Sequence, residues 1–425
     1  MNKVFAEFKY LFLRGRFIFY IIILEKIVFF VLFLLLARSY THNEFGGITV
    51  IFAFSNILAT AFDFGLPNFF QREFAILSAS RLKDFNSAIT IRIYFYFLYI
   101  AIVLLYCLSN PLVTLDVAFI IASAIYIFST SNLFRTALYG LNLFREVFQP
   151  RLISMSVFFI AGICSVIIHN LFLFSIALLV ASVGELYFLI LPFNKNNYRI
   201  SLAAIVPLKK IMSIAKSSLP FGLSLLFVMI YDRVDILMIE KFLNLESVAF
   251  YSVAYSLYKL PQQLFIFLFM PLFTDLSSEY NSESGINFNK VIKVGSFILV
   301  FTSACAIGYQ LFSEYLIKIF YGGSYLNSAA ILRILSFTIP FIILNNLTGI
   351  TLNSIRKERM TVLTVLVGAI INVSMNLVFI PSYGIYGAAI VTLITEASIL
   401  LIQFVMILLI RNRLGLLQHF KREIA

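Results

Sequence analysis

The sequence predicts an all-α integral membrane protein of about twelve transmembrane helices. Three observations carry this expectation. Of the 425 residues, 61% are hydrophobic and 12% are charged, whereas soluble domains run about 45–50% apolar and about 25% charged. Apolar runs of the roughly 20 residues needed to cross a hydrocarbon core recur from end to end. Lys and Arg cluster in every second connection between those runs, as the positive-inside rule requires of a multi-span protein.

The first six spans read at 17–36, 47–65, 88–108, 113–130, 152–168 and 172–193. The second six read at 217–238, 248–273, 292–312, 327–352, 361–380 and 387–410. The first run is too long for a signal-peptide core and no small-residue cleavage site follows it, so it is expected to stay in the mature protein. Pro220 and Pro261 can kink the spans that hold them, and the run at 327–352 is the most polar.

The basic residues orient the spans. Arg38, Lys241, Lys318 and Arg333 fall on one side, and Lys26, Arg92, Arg233 and Lys259 fall within spans. The other 24 of the 32 Lys and Arg fall on the opposite side, which places both termini in the cytoplasm. The net charge of +12 is therefore a topology signal, and no nucleic-acid partner is expected. The chain has no Trp, so Tyr20, Tyr40, Tyr187, Tyr231, Tyr321 and Tyr325 are the candidates for interfacial belts.

The longest basic connection, 194–210, divides the chain into an N-terminal six-helix bundle at 1–193 and a C-terminal one at 211–425. The halves echo weakly: Glu44-Phe45-Gly46-Gly47-Ile48 follows the first span, and Ser247-Val248-Ala249-Phe250-Tyr251 follows the seventh. Two halves that both begin cytoplasmic would be related by an axis along the membrane normal, an arrangement suited to a carrier.

Motifs exclude several classes. There is no phosphate-binding Gly-rich loop, no zinc motif and no nucleophile motif. An ATP-driven pump, an enzyme, a metal and a cofactor are thus not expected. His42, His169 and His419 are scattered, and Cys107, Cys164 and Cys305 sit in apolar runs as buried filler.

Charges at membrane depth are costly and tend to face a cavity or a partner, so they are the candidate site. Lys26, beside Glu25, lies near the middle of the first span. Lys259 lies about half-way along the eighth, just before Pro261. Asp232 and Asp235, three apart, share a helix face, with Arg233 pointing about 100° away. They form either a substrate or ion site or a salt-bridge cluster docking the helix, near the outer surface. Arg92 lies about one turn inside the third span. Glu185 and Glu396 are either coupling carboxylates or neutral hydrogen-bonded acids. Asp63 is expected to pair with Arg72 at an inner turn, and Asn372 and Asn376 to knit helices together.

Four segments carry a family resemblance: FDFGLPNFFQRE at 62–73, YDRVDILMIEKFLNLESVAFYSVAYSL at 231–257, IFYGGSYLNSAAILRIL at 319–335 and INVSMNLVFIPSYGIYGAAIVTLITE at 371–396. Together they resemble the polysaccharide-exporter branch of the multidrug/oligosaccharidyl-lipid/polysaccharide (MOP) flippase superfamily, in particular Wzx-type O-antigen flippases. The resemblance implies a V-shaped, MATE-like pair of six-helix bundles in the bacterial cytoplasmic (inner) membrane. It implies a cargo of undecaprenyl-pyrophosphate-linked oligosaccharide repeat units for O-antigen or a similar surface polysaccharide, flipped by alternating access and coupled to an ion gradient. Partners would be that glycan, membrane lipids, a polysaccharide polymerase and a chain-length regulator. Lys26, Lys259, Arg92 and Arg233 would then grip the pyrophosphate. Glu25, Asp232, Asp235, Glu185 and Glu396 would serve coupling or gating. The alternatives are a multidrug-type extruder, a lipid II flippase, whose relatives usually carry two further C-terminal helices, and a non-transporting membrane scaffold.

Overall fold

The computed structural model describes the backbone of residues 2–77, 82–195, 198, 200, 206–281 and 288–424. Side chains are described for most positions from 20 to 411. No strand occurs among the described residues. The helices are α1 (Asn2–Ser39), α2 (His42–Ala61), α3 (Leu66–Leu77), α4 (Leu82–Ser109), α5 (Leu115–Gly140), α6 (Phe144–Ile167) and α7 (Leu171–Lys195). They continue with α8 (Leu208–Phe242), α9 (Leu245–Tyr258), α10 (Leu260–Asn281) and α11 (Phe288–Phe320). A 3-10 turn (Gly323–Tyr325), α12 (Ser328–Ser336), α13 (Ile339–Ser354) and α14 (Glu358–Ile424) complete the chain.

Eight of these are long and apolar enough to cross a membrane, and α12 with α13 passes the same test as a pair bent by 42°. The others follow from local breaks. The long α14 folds at Gly384, whose φ of 60° and ψ of −145° suit only glycine, so its two arms are two spans. α9 and α10 meet at Lys259, just before Pro261, and together cover the eighth span. α8 has 35 residues, about 52 Å at 1.5 Å per residue, and is long enough to span despite its charges. This gives the expected twelve.

Two differences from the sequence-based spans matter. α5 runs on to Gly140 and α6 begins at Phe144, so Arg135 and Arg151 stand on helices rather than in a loop. α3 is a short additional helix: Pro67 sits in its first turn, where a missing N–H costs nothing. Leu66, Phe69, Phe70 and Phe74 form its buried stripe. Those rings meet Phe85 and Phe193, which stack at 5.4 Å, and Phe134. The start of α2 is fixed by a capping box, in which the Glu44 N–H donates to Thr41 Oγ1 and the Thr41 N–H to Glu44 Oε2.

The chain forms two compact units, Met1–Ala249 and Phe250–Ala425. α8 belongs to the first, packed on α2, α3 and α4. Within 194–210, residues 196, 197, 199 and 201–205 lie outside the described residues. Close backbone contact fixes both ends of α2. At one end Gly65 (φ +74°) lies against α8, where an added Cβ would stand 2.2 Å from the Gly222 nitrogen. At the other, an added Cβ on Gly46 would stand 2.0 Å from the Leu245 carbonyl oxygen. The two echoing segments thus open α2 and α9, and their first turns touch, with His42 Nδ1 3.5 Å from Glu246 Oε1. Tyr321 and Tyr325 are buried rather than interfacial: the Tyr321 hydroxyl lies 2.7 Å from Ser256 Oγ, and its ring lies 6.0 Å from that of Tyr325.

Candidate functional site

In the first unit, four charges from four helices meet. Arg151 on α6 lies at the centre, with Nη1 2.5 Å from Glu185 Oε2 on α7 and Nη2 2.5 Å from Glu25 Oε2 on α1. Arg135 on α5 adds a contact of 3.3 Å to Glu185 Oε1. The Phe128 ring covers the Arg151 guanidinium at 5.2 Å. Glu185 is 0% exposed and Arg151 3%, whereas the Glu25 side chain is 31% exposed. Two acids and two guanidiniums make a neutral set, which is how charges persist at such depth. Lys26, one residue beyond Glu25, is exposed and makes no ion pair among the described residues.

Arg92 has a different surrounding. It is 1% exposed; Nε donates to Thr130 Oγ1 and Nη2 to Ser129 Oγ, both at 3.0 Å. Its guanidinium lies 4.7 Å from the Tyr126 ring centre, and Nη1 is 3.7 Å from Asp63 Oδ1. The carboxylate of Asp63 therefore faces Arg92 rather than Arg72. Arg72 instead contacts Glu73 at 3.2 Å and lies over the Phe69 and Phe221 rings. The reason is helical phase: α3 carries Arg72 away from the turn that holds Asp63.

On α8 the acidic cluster divides. Arg233 Nε reaches back to Asp232 Oδ2 at 3.3 Å, and both are partly exposed. Asp235 is 2% exposed. Further along α8, Glu240 accepts a hydrogen bond from the Tyr106 hydroxyl at 2.9 Å, and the Tyr106 ring stacks on Phe54 at 4.2 Å.

In the second unit, Lys259 Nζ lies 5.1 Å from the Tyr255 ring centre and 5.4 Å from that of Tyr258, within cation–π range. Glu396 is 2% exposed, and Asn345 Nδ2 donates to its Oε2 at 2.5 Å and to its backbone carbonyl at 2.9 Å. Next along the seam, Thr348 donates to Gln403 Oε1, and Gln403 Nε2 donates to Thr364 Oγ1 at 3.0 Å. Asn376 Nδ2 donates to Asn372 Oδ1 at 3.2 Å, both residues being fully buried.

The structure thus joins Glu25 to Glu185 through Arg151, and leaves Lys26 beside that network. Arg92 is held in its own pocket of hydroxyl, aromatic and carboxylate groups. The residues missed in the sequence are Arg135 and Arg151. A signal was present: Glu25 and Glu185 both sit deep in spans, and buried carboxylates require cations. Among the described residues no group of His, Cys, Asp and Glu has the makings of a metal site.

Comparison with known proteins agrees with this architecture. The family model described as polysaccharide biosynthesis protein matches residues 15–277. Two uncharacterized membrane proteins of Methanocaldococcus jannaschii are similar over shorter stretches. One is 33% identical over 102 residues, covering 24% of this chain and 20% of the relative. The other is 29% identical over 115 residues, covering 27% and 28%. The matched stretches thus span about a fifth and a quarter of those relatives. Among solved structures, the lipid II flippase MurJ in an inward closed conformation superposes with a TM-score of 0.68 at 18% identity, over 93% of this chain and 87% of that one. An inward-facing multidrug resistance MATE transporter of the MOP superfamily superposes with a TM-score of 0.72 at 13% identity, over 93% and 96%. A MOP superfamily transporter from Pyrococcus furiosus, described by a binding pocket of reversed polarity, gives 0.65 at 12% identity over 95% of both chains. These likenesses establish a MATE- and MurJ-like fold for a multi-pass membrane protein. With the family model covering well over half of its length, the chain belongs to the polysaccharide biosynthesis protein family.

Proposed function

We propose that this protein flips undecaprenyl-pyrophosphate-linked oligosaccharide repeat units, for O-antigen or a similar surface polysaccharide, across the bacterial cytoplasmic membrane. The observation that carries this is the polysaccharide biosynthesis family match over 15–277 on a fold shared with a lipid II flippase. The charge pattern supports it. A pyrophosphate favours cationic groups that are not already neutralised. Lys26 is such a group in the first unit. In the second unit, Lys259 lies over the buried Tyr255 and Tyr258 rings. We assign phosphate contacts to Lys26 and Arg233 in the first unit and, separately, to Lys259 in the second. Arg92, hydrogen-bonded to Ser129 and Thr130, braces α4 against α5. Asp232, Asp235 and Glu396 are the candidate coupling or gating carboxylates, and transport proceeds by alternating access driven by an ion gradient. A polysaccharide polymerase and a chain-length regulator are the partners such a cargo calls for.

Deleting the gene should abolish surface polysaccharide, with repeat units accumulating in the inner leaflet. Lys26→Gln and Lys259→Gln should each lower complementation by about tenfold or more, given charge-assisted contacts to phosphate. Normal surface polysaccharide in the deletion strain refutes the proposal. A second reading, a multidrug-type extruder, draws on the TM-score of 0.72 to a MATE transporter. It predicts loss of drug resistance in the same strain with polysaccharide intact.

A further inference from the structure

Arg151 has a role in the proposed site that its depth conceals, one that rests on Lys26 being an anion-binding residue. We infer that Arg151 is a positioning residue for Lys26: by taking up the Glu25 carboxylate, it leaves the Lys26 ammonium charge unneutralised for a phosphate group of the ligand.

Glu25 and Lys26 are consecutive on α1. Their side chains leave the helix about 100° apart, yet both stems are long and flexible. At membrane depth a carboxylate without a partner draws whatever cation it can reach. Arg151 outcompetes Lys26 for that carboxylate. Its Nη2 contacts Glu25 Oε2 at 2.5 Å, while Lys26 on the same helix is exposed. Arg151 cannot itself leave for a ligand, because Nη1 is bound to Glu185 at 2.5 Å and Phe128 covers its plane. Arg135, 3.3 Å from Glu185, completes the neutral set of two acids and two guanidiniums. Adding Lys26 leaves one net positive charge, and it stands on the exposed side chain of the group. Only a guanidinium suits the central position, since its planar fork presents separate nitrogens to two carboxylates, and an ammonium presents one point charge.

The test is binding of farnesyl pyrophosphate to the purified full-length protein in detergent, with size-exclusion profiles confirming that each variant is monodisperse. Lys26→Gln should weaken binding. Arg151→Gln should weaken it about tenfold, because Glu25 is then free to neutralise Lys26. Glu25→Gln/Arg151→Gln, which removes the competing carboxylate as well, should return affinity to within about twofold of the parent. Glu25→Gln alone should bind as tightly as the parent or more tightly, and this arm decides the matter if Arg151→Gln does not fold. Rescue by the double substitution is not a result that simple loss of packing would give. Unchanged binding in Lys26→Gln overturns the site, and this inference with it. Weak binding in Lys26→Gln together with an unrescued double variant, or with weakened Glu25→Gln, overturns the role of Arg151 alone.

Discussion

Replacing Glu185 by leucine is the sharpest test of the buried network. Glu185 is fully buried and is the acceptor for two guanidiniums, at 2.5 Å from Arg151 and 3.3 Å from Arg135. Its removal turns a neutral set into one with a surplus positive charge among α1, α5, α6 and α7. Removing one partner of a buried ion pair costs roughly 3–5 kcal/mol, because the other charge stays desolvated and uncompensated. Two orphaned contacts put Glu185→Leu at the upper end of that range. Arg151→Met should cost a similar amount by breaking both carboxylate contacts of Arg151, to Glu185 and to Glu25. The double variant removes one charge of each sign and keeps Arg135 with Glu25 as a neutral remainder. It should therefore be more stable than either single variant, with a coupling energy of roughly 2 kcal/mol or more across the cycle, as for residues that share one network. Thermal unfolding in detergent, followed by loss of the monodisperse peak, measures all four proteins. A double variant whose loss equals the sum of the two singles refutes the reasoning, as does a Glu185→Leu variant as stable as the parent.

Gly222→Val should prevent proper packing of α8, since even a Cβ there would stand 2.6 Å from the Phe64 carbonyl carbon. A monodisperse, parent-like yield would contradict this. Gly384→Ala should cost on the order of 1–3 kcal/mol from backbone strain alone, because the position has open space but a conformation that suits only glycine. The melting temperature checks it. Tyr106→Phe should cost roughly 1–3 kcal/mol by removing the donor to the Glu240 carboxylate while keeping the Phe54 stack. The comparison of melting curves with Glu240→Gln, in which the hydroxyl still has an acceptor, separates the hydrogen bond from the charge.

Much of the fold was legible because a bilayer imposes simple rules. Hydrophobic length marked the spans, and the distribution of Lys and Arg sets the orientation expected for them. Helix ends were less legible. A transmembrane helix can continue past its apolar run when polar residues find partners, and Arg135 and Arg151 do so on α5 and α6. α3 was hidden for another reason. Its twelve residues are too few for a span, and its buried stripe at Leu66, Phe69, Phe70 and Phe74 is readable only once a core exists to receive it. At the candidate site, the positions of the buried charges followed from composition at depth, but their partners did not. Sequence proximity suggested Arg72 for Asp63, whereas the helix supplying its cation is α4, through Arg92. Adjacent residues on a helix do not face each other, so the partner of Glu25 had to come from elsewhere, and packing supplies it from Arg151, 126 positions away.

The glycines at the two ends of α2 bear on how a lipid-linked cargo could leave. With Gly65 against Gly222 and Gly46 against Leu245, main chain meets main chain above and below, with no crevice for even a methyl group. A polyprenyl tail is several times thicker than that. At these two points α2 cannot part from its neighbours to admit a lipid tail without breaking main-chain contact, so the ends of α2 act as fixed anchors rather than as a lateral opening.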